Sequence, residues 1–204
     1  MDISLKLDKL KELCKDCTDS ICRQKEILVV SHVDADGLTA AAIICAALDR
    51  HNIDYKPLFF RQLDENALEE VADQGADLVI FTDLGSGMIQ EILERNLQAI
   101  VADHHKPKAC PAQPLAHINP HLVGADGANQ LSGSGSAFLL ARALASSPGA
   151  NDDLAALAVV GAVGDLQDMA SGQLIGLNRY ILDIGSRAGS VHFSRDIKLF
   201  GKQT

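Results

Sequence analysis

Three short apolar runs in this chain each end in residues that can hold a cation. EILVVS (26–31) is followed by His32, Asp34 and Asp36, LVIFT (78–82) by Asp83, and AIVA (99–102) by Asp103, His104 and His105. A further apolar stretch, LAALAVVGAV, runs into Gly164 and Asp165, with Asp168 three residues on. A lone Asp after a strand is commonly a helix cap, and Asp36 and Asp83 each allow that reading. Recurrence after three separate runs is different, because crowded carboxylates repel and raise one another's pKa unless cations neutralise them. Asp and His together, with no thiolate among them, suit a mid-series divalent ion such as Mn²⁺ better than a structural zinc site or an all-oxygen calcium cage.

Such a convergence requires the runs to be neighbouring strands. The β-type runs at 26–31, 55–60, 78–82, 99–102 and 116–118 are mostly apolar throughout, the pattern of strands covered on both faces. Helix-period stretches at 38–50, 65–74 and 88–95 separate them. The alternation predicts an α/β fold, a doubly wound and mostly parallel sheet of about five strands flanked by helices. Ligands of such sheets bind outside the carboxyl ends of the strands, where the Asp and His residues stand. A first helix over 4–22, with Leu5, Leu7, Leu10, Leu13, Cys17 and Ile21 at three- and four-residue steps, is expected to pack on the domain within residues 1–24. Further helices are expected over 134–145, 152–163 and 174–185. Pro107, Pro111, Pro114 and Pro120 mark a long irregular connection over 106–134, of a kind that is usually functional or mobile.

A formal charge of −9 over 204 residues excludes passive, whole-surface attraction to nucleic acid, so a polyanionic substrate needs a local cationic device. No apolar run approaches the roughly 18 residues of a membrane span, and the charged amphipathic start does not read as a signal peptide. No membrane partner and a cytoplasmic location are expected. Five cysteines, one of them (Cys45) inside an apolar helical run, point to reduced, packed thiols. Cys14 and Cys17 with Cys22 have zinc-like spacing but no fourth ligand before His32, which favours helix packing. Ser132, Gly133, Ser134 and Gly135 open a helical run, where their amides could receive a substrate phosphate or simply cap. His121, Asn119 and Arg142 are further polar candidates near that loop.

SHVDADGLTAAA (31–42), TDLGSG (82–87), ADHHKP (102–107) and VGDLQD (163–168) resemble, in order and spacing, the four motifs of the DHH phosphoesterase superfamily. INPHLVGADG (118–127) and LSGSGSAF (131–138) are most similar to its archaeal RecJ-like branch, which includes the GINS-associated nuclease. The resemblance spans about 25–185. It implies two divalent ions, Mn²⁺ with Mg²⁺ as the alternative, and hydrolysis of phosphodiester or phosphoanhydride bonds. Asp34 and Asp36 would each hold one ion, Asp83 would bridge them, and His104 and Asp165 would complete the ligand set, with His32 beside it. Asp103 would orient its neighbour, and His105 would face the substrate phosphate. Related branches put the first-motif histidine four residues before the first Asp, where this chain has Val30. Two ions about 3.5 to 4 Å apart supply an activated water and an electrostatic clamp without a covalent intermediate.

The implied activity is a metal-dependent exonuclease on single-stranded DNA or RNA, in DNA repair or replication, with GINS or other replication proteins as partners. The alternatives are a small-molecule phosphoesterase (oligonucleotide, cyclic dinucleotide or pyrophosphate) and a non-catalytic scaffold of a replicative helicase assembly. The DHH domain is expected over 25–190. RecJ-like enzymes carry a second domain with a GGH-type motif, which is not found here, so 191–204 is expected to begin a linker to a C-terminal domain outside this chain.

Overall fold

The apolar runs form strands β1 (Glu26–His32), β2 (Asp54–Phe60), β3 (Val79–Thr82), β4 (Ala99–Ala102) and β5 (Ala116–Ile118). In the computed structural model, which describes residues 2–194, they make one all-parallel sheet of order β2-β1-β3-β4-β5. Side chains alternate across it, as strand geometry requires. Ile27, Val29, Ile80 and Ile100 enter one buried cluster, and Leu28, Val30, Val79, Phe81 and Val101 enter another on the opposite face. The first cluster is covered by α1 (Ile3–Cys22), α2 (Ala35–Asp49), α5 (Gly133–Ala143), α6 (Ala155–Gly164) and α7 (Gly176–Arg187), the second by α3 (Glu65–Ala72) and α4 (Ile89–Glu94). This is the doubly wound architecture that continuous apolar strands demand.

Two details depart from the sequence reading. β2 is an edge strand paired only with β1, and its polar positions are exposed, so it is not apolar throughout. On α1 the buried stripe is Leu7, Leu10, Cys14, Cys17 and Ile21, whereas Leu5 is exposed. Cys14 takes the inward place that the spacing gave to Leu13, which is half-buried. Burial pushes both thiols up, that of Cys17 to about 12, and Cys22 is exposed. Among the described residues no cysteine joins a group able to hold a metal. Nor is any described helix long and apolar enough to cross a membrane. The expected linker falls largely outside the described residues.

The chain moves from β1 outward to β2, then returns to the other side of β1 to form β3. Reversal of strand order opens a crevice at the carboxyl ends of β1 and β3, where an open α/β sheet takes its ligand.

Candidate metal centre

Residues from four segments meet in that crevice. His32, Asp34 and Asp83 form one group, and Asp36, His104 and Asp165 another, each with its ligand atoms within 4.8 Å of one another. Asp83 stands between them: its Oδ2 lies 3.6 Å from His32 Nδ1, and its Oδ1 lies 3.2 Å from His104 Nε2. His104 Nε2 is also 3.8 Å from Asp36 Oδ2 and 3.8 Å from Asp165 Oδ2. Asp168 lies outside these groups. All six residues singled out in the sequence as metal ligands are therefore brought together.

The local backbone explains the aim of each side chain. Asp34, rather than Asp36 or Asp83, is the helix cap: its Oδ1 accepts from Gly37 N at 2.9 Å, and its Oδ2 is 2.9 Å from His32 Nδ1. That leaves Asp36, two residues on, buried in the first turn of α2 and pointed inward. Asp83, the residue after β3, sits at φ 57°, a left-handed conformation that costs a non-glycine residue about 1 kcal/mol or more and persists where surrounding structure dictates it. Leu166, beside Asp165, is held at φ 59°.

His104 donates from Nδ1 to the carbonyl of Gly127 at 2.7 Å, which fixes the tautomer and turns the Nε2 lone pair toward Asp83. Asp83 Oδ1 is buried and receives no hydrogen bond of acceptable geometry. Two acceptors facing each other at 3.2 Å, with two more carboxylates close by, call for a shared proton or a cation. Burial pushes the Asp83 carboxyl up to about 8. Burial lowers His104, yet its contact with Asp83 outweighs this and raises it to about 10. The donor set of hard carboxylates and imidazole fits a divalent ion of the Mn²⁺ or Mg²⁺ kind.

The helix-opening segment 132–136 proves to be an internal device and does not present free amides. Gly133 N and Ser134 N donate to the two oxygens of Asp36 at 2.7 and 3.0 Å, while Ser132 caps its own helix by accepting from Gly135 N at 3.0 Å. Ser132, Gly133, Ser134 and Gly135 are all buried. The phosphate-receiving role expected for them is corrected on this point: the helix N-terminus serves a carboxylate of the protein itself, by the same attraction it would offer a phosphate. His121 lies on the 3-10 turn Pro120–Val123, outside the residue groups able to hold a metal, with its backbone amide on Asn119.

Asp103, fully buried, accepts from His104 N, from His105 N and Nδ1, and from Ser86 N. Burial alone would raise its carboxyl, but these donors, His105 foremost, hold it well below the usual carboxylate range. His105 is raised in return by that hydrogen bond. The ring of His105 is 58 % exposed and lines a cleft of about 240 Å³ with His32, Arg61, Leu63, Asp83 and Met88. Asn119, buried, donates to the carbonyl of His105 at 2.9 Å and to Ser86 Oγ at 2.8 Å, tying the long 106–134 connection to the site.

A family model described as the DHH family, N-terminal domain, matches residues 26–162. The chain belongs to the DHH family. Its relatives include a single-stranded-DNA-specific exonuclease and an exonuclease solved with manganese bound. An uncharacterized protein of Methanocaldococcus jannaschii is 32% identical over 199 residues, covering 94% of this chain and 44% of its own length. The single-stranded-DNA-specific exonuclease RecJ of Thermus thermophilus is 32% identical over 189 residues, covering 89% of this chain and 28% of its own. A crystal structure of exonuclease RecJ bound to manganese superposes with a TM-score of 0.69 at 28% identity, over 86% of this chain and 46% of that one. The chain spans less than half the length of the curated relatives it matches.

Within this DHH domain, sequence reasoning missed Gln167, Asn178, Ser86 and Arg61. Gln167 is buried beside Asp165 and His104, and Arg61 brings a cation to the cleft rim. Gln167 and Ser86 do fall inside quoted motifs, VGDLQD and TDLGSG, so their positions gave a signal although their residue types did not.

Proposed function

We propose that this domain hydrolyses phosphodiester bonds of single-stranded nucleic acid, with Asp34, Asp36, Asp83, His104 and Asp165 holding two divalent ions and His32 beside them. The observation that carries this reading is the buried Asp83 Oδ1, which has no hydrogen-bond donor and faces the Nε2 of His104. When bound, two such ions lower the pKa of a water and neutralise charge on the phosphoryl oxygens. The remaining work falls to the chain itself. Asp103 Oδ1 accepts from His105 Nδ1 and favours the imidazolium, and in that form Nε2 at the cleft donates to a phosphate oxygen or gives its proton to the leaving group. Arg61 lines the same cleft, a local cation in a protein of net charge −9. Buried uncompensated carboxylates cost folding free energy, which favours an enzyme over a scaffold.

The test is product analysis with labelled single-stranded DNA, single-stranded RNA, a cyclic dinucleotide and pyrophosphate, in EDTA and then in excess Mn²⁺. Release of mononucleotides from single strands, abolished by EDTA and restored by Mn²⁺, is expected. Turnover of the small molecules alone would replace the nuclease reading with the small-molecule one, and cleavage in excess chelator would sink the metal mechanism. His105→Ala should bind Mn²⁺ as tightly as wild type but lose about 10²-fold or more in rate.

A further inference from the structure

We propose that the buried amide pair Gln167–Asn178 is a positioning device for one of the two metal positions, the one formed by Asp36, His104 and Asp165, and leaves the other untouched. This rests on the reading that the crevice holds two divalent ions. Both amides are almost fully buried; Gln167 bonds directly to Asp165 of that group, and Asn178 bonds to Gln167 and to the cap of α5.

The Nε2 of Gln167 has two hydrogens, and it has two acceptors in good geometry: Asp165 Oδ2 at 2.9 Å and the carbonyl of Gly127 at 2.8 Å. The same carbonyl accepts from His104 Nδ1 at 2.7 Å. One amide therefore orients Asp165 directly and fixes the tautomer of His104 through the oxygen they share. Gln167 cannot swap its oxygen and nitrogen, because its Oε1 accepts from Asn178 Nδ2 at 2.6 Å. Asn178 is fixed in turn by Ser132 N, which donates to its Oδ1 at 3.2 Å. Ser132 is the cap of α5, whose next two amides bind Asp36. Asp165, His104 and Asp36 are thus all reached from one pair of side chains, anchored on α7 and on the turn after α6.

The other group is built differently. His32 Nε2 lies 3.1 Å from the carbonyl of Arg61, and Asp34 is held by Gly37 N and His32. Neither touches the amide pair. Ligand orientation by outer hydrogen bonds typically governs metal affinity by about 10- to 100-fold, so removing the pair should act on one ion only.

The experiment is a Mn²⁺ titration of the chelated, metal-free protein by calorimetry, with Gln167→Met, Asn178→Ser and Asp34→Asn. Wild type should bind two equivalents. Gln167→Met, which keeps the volume and deletes the donors, should weaken one equivalent by about 10- to 100-fold and leave the other within about twofold. Asn178→Ser should do the same, and it serves alone if Gln167→Met fails to fold. Asp34→Asn should weaken the complementary equivalent. Equal weakening of both equivalents by the amide variants, as a general loss of structure would give, overturns the proposal, as does no change in either. Failure of wild type to bind Mn²⁺ would instead remove the metal reading itself, and the proposal with it.

Discussion

Asp83→Asn is expected to make the metal-free protein more stable while abolishing tight metal binding. The wild-type carboxylate is buried, one of its oxygens has no hydrogen-bond donor, and its backbone sits at φ 57°, a region that Asn adopts as readily as Asp. Its carboxyl is pushed up to about 8 by burial, so what it contributes to stability is fully present below the unfolded value near 4 and lost as pH rises through about 8. His104, raised by its contact with Asp83, is coupled to that titration and acts in the same direction, favouring the folded protein at low pH and losing this as pH rises. Metal-free wild type should therefore lose stability from pH 6 to pH 9, by about 1.4 kcal/mol per pH unit for each proton released. Asp83→Asn removes the first titration and, with it, the contact that raises His104, so the gap between the two proteins should widen with pH. At about 2–4 °C per kcal/mol for a domain of this size, thermal melts in chelator at pH 6 and pH 8.5 resolve the difference. Added Mn²⁺ should then raise the Tm of wild type and leave the variant where it was. A variant less stable at both pH values, and stabilised by Mn²⁺ as much as wild type, would contradict the reading of Asp83 as an uncompensated ligand.

Gly133→Ala should be nearly as damaging as loss of a ligand, although Gly133 carries no functional group. A Cβ at this position would lie 2.3 Å from Asp83 Oδ1 and 2.6 Å from its Cβ. Asp83 cannot retreat, since its backbone conformation is already strained and its amide is bonded to Ala102. Nor can Gly133 retreat, because its amide holds Asp36. Overpacking of this kind costs about 1–3 kcal/mol. A fall in Tm of several degrees is expected, together with a loss of Mn²⁺ affinity of tenfold or more. Unaltered Mn²⁺ titration of a folded Gly133→Ala protein would mean that the close approach of α5 to Asp83 plays no part in the site.

The order of strands and helices was legible because the period of hydrophobicity changes sharply along the chain, and an all-apolar run such as LVIFT has few uses other than a covered strand. The meeting of Asp34, Asp83 and His104 was legible for a related reason: parallel strands bring their carboxyl ends to one rim whatever their order. Sequence could not say which Asp of the pair 34 and 36 caps the helix, because that depends on where the first turn begins, and two residues of shift exchange an inward carboxylate for a capping one. It also could not say whether the amides of 132–136 would meet a ligand or a protein carboxylate, since both offer the same attraction to a helix N-terminus. Leu13 was expected in the stripe of α1 in place of Cys14 because a three-residue step from Leu10 reaches the one and a four-residue step the other. Gln167 and Asn178 escaped notice for a plainer reason. Amide side chains carry no charge or periodicity, and their importance here comes entirely from what they touch.

β2, the edge strand described above, bears on how this protein behaves in a crowded solution. An open sheet edge offers unpaired amides and carbonyls on which a second sheet can grow. Pro57 lies at the middle of β2, in register with Val29, and pairing with β1 runs unbroken over Asp54–Phe60. The amide that proline lacks is therefore missing from the outward row, not from the ladder to β1. A strand from another molecule would find a gap at the centre of that edge, with the charged Lys56 beside it. At the opposite edge β5 offers only three residues, Ala116–Ile118, too short a template for edge-to-edge growth.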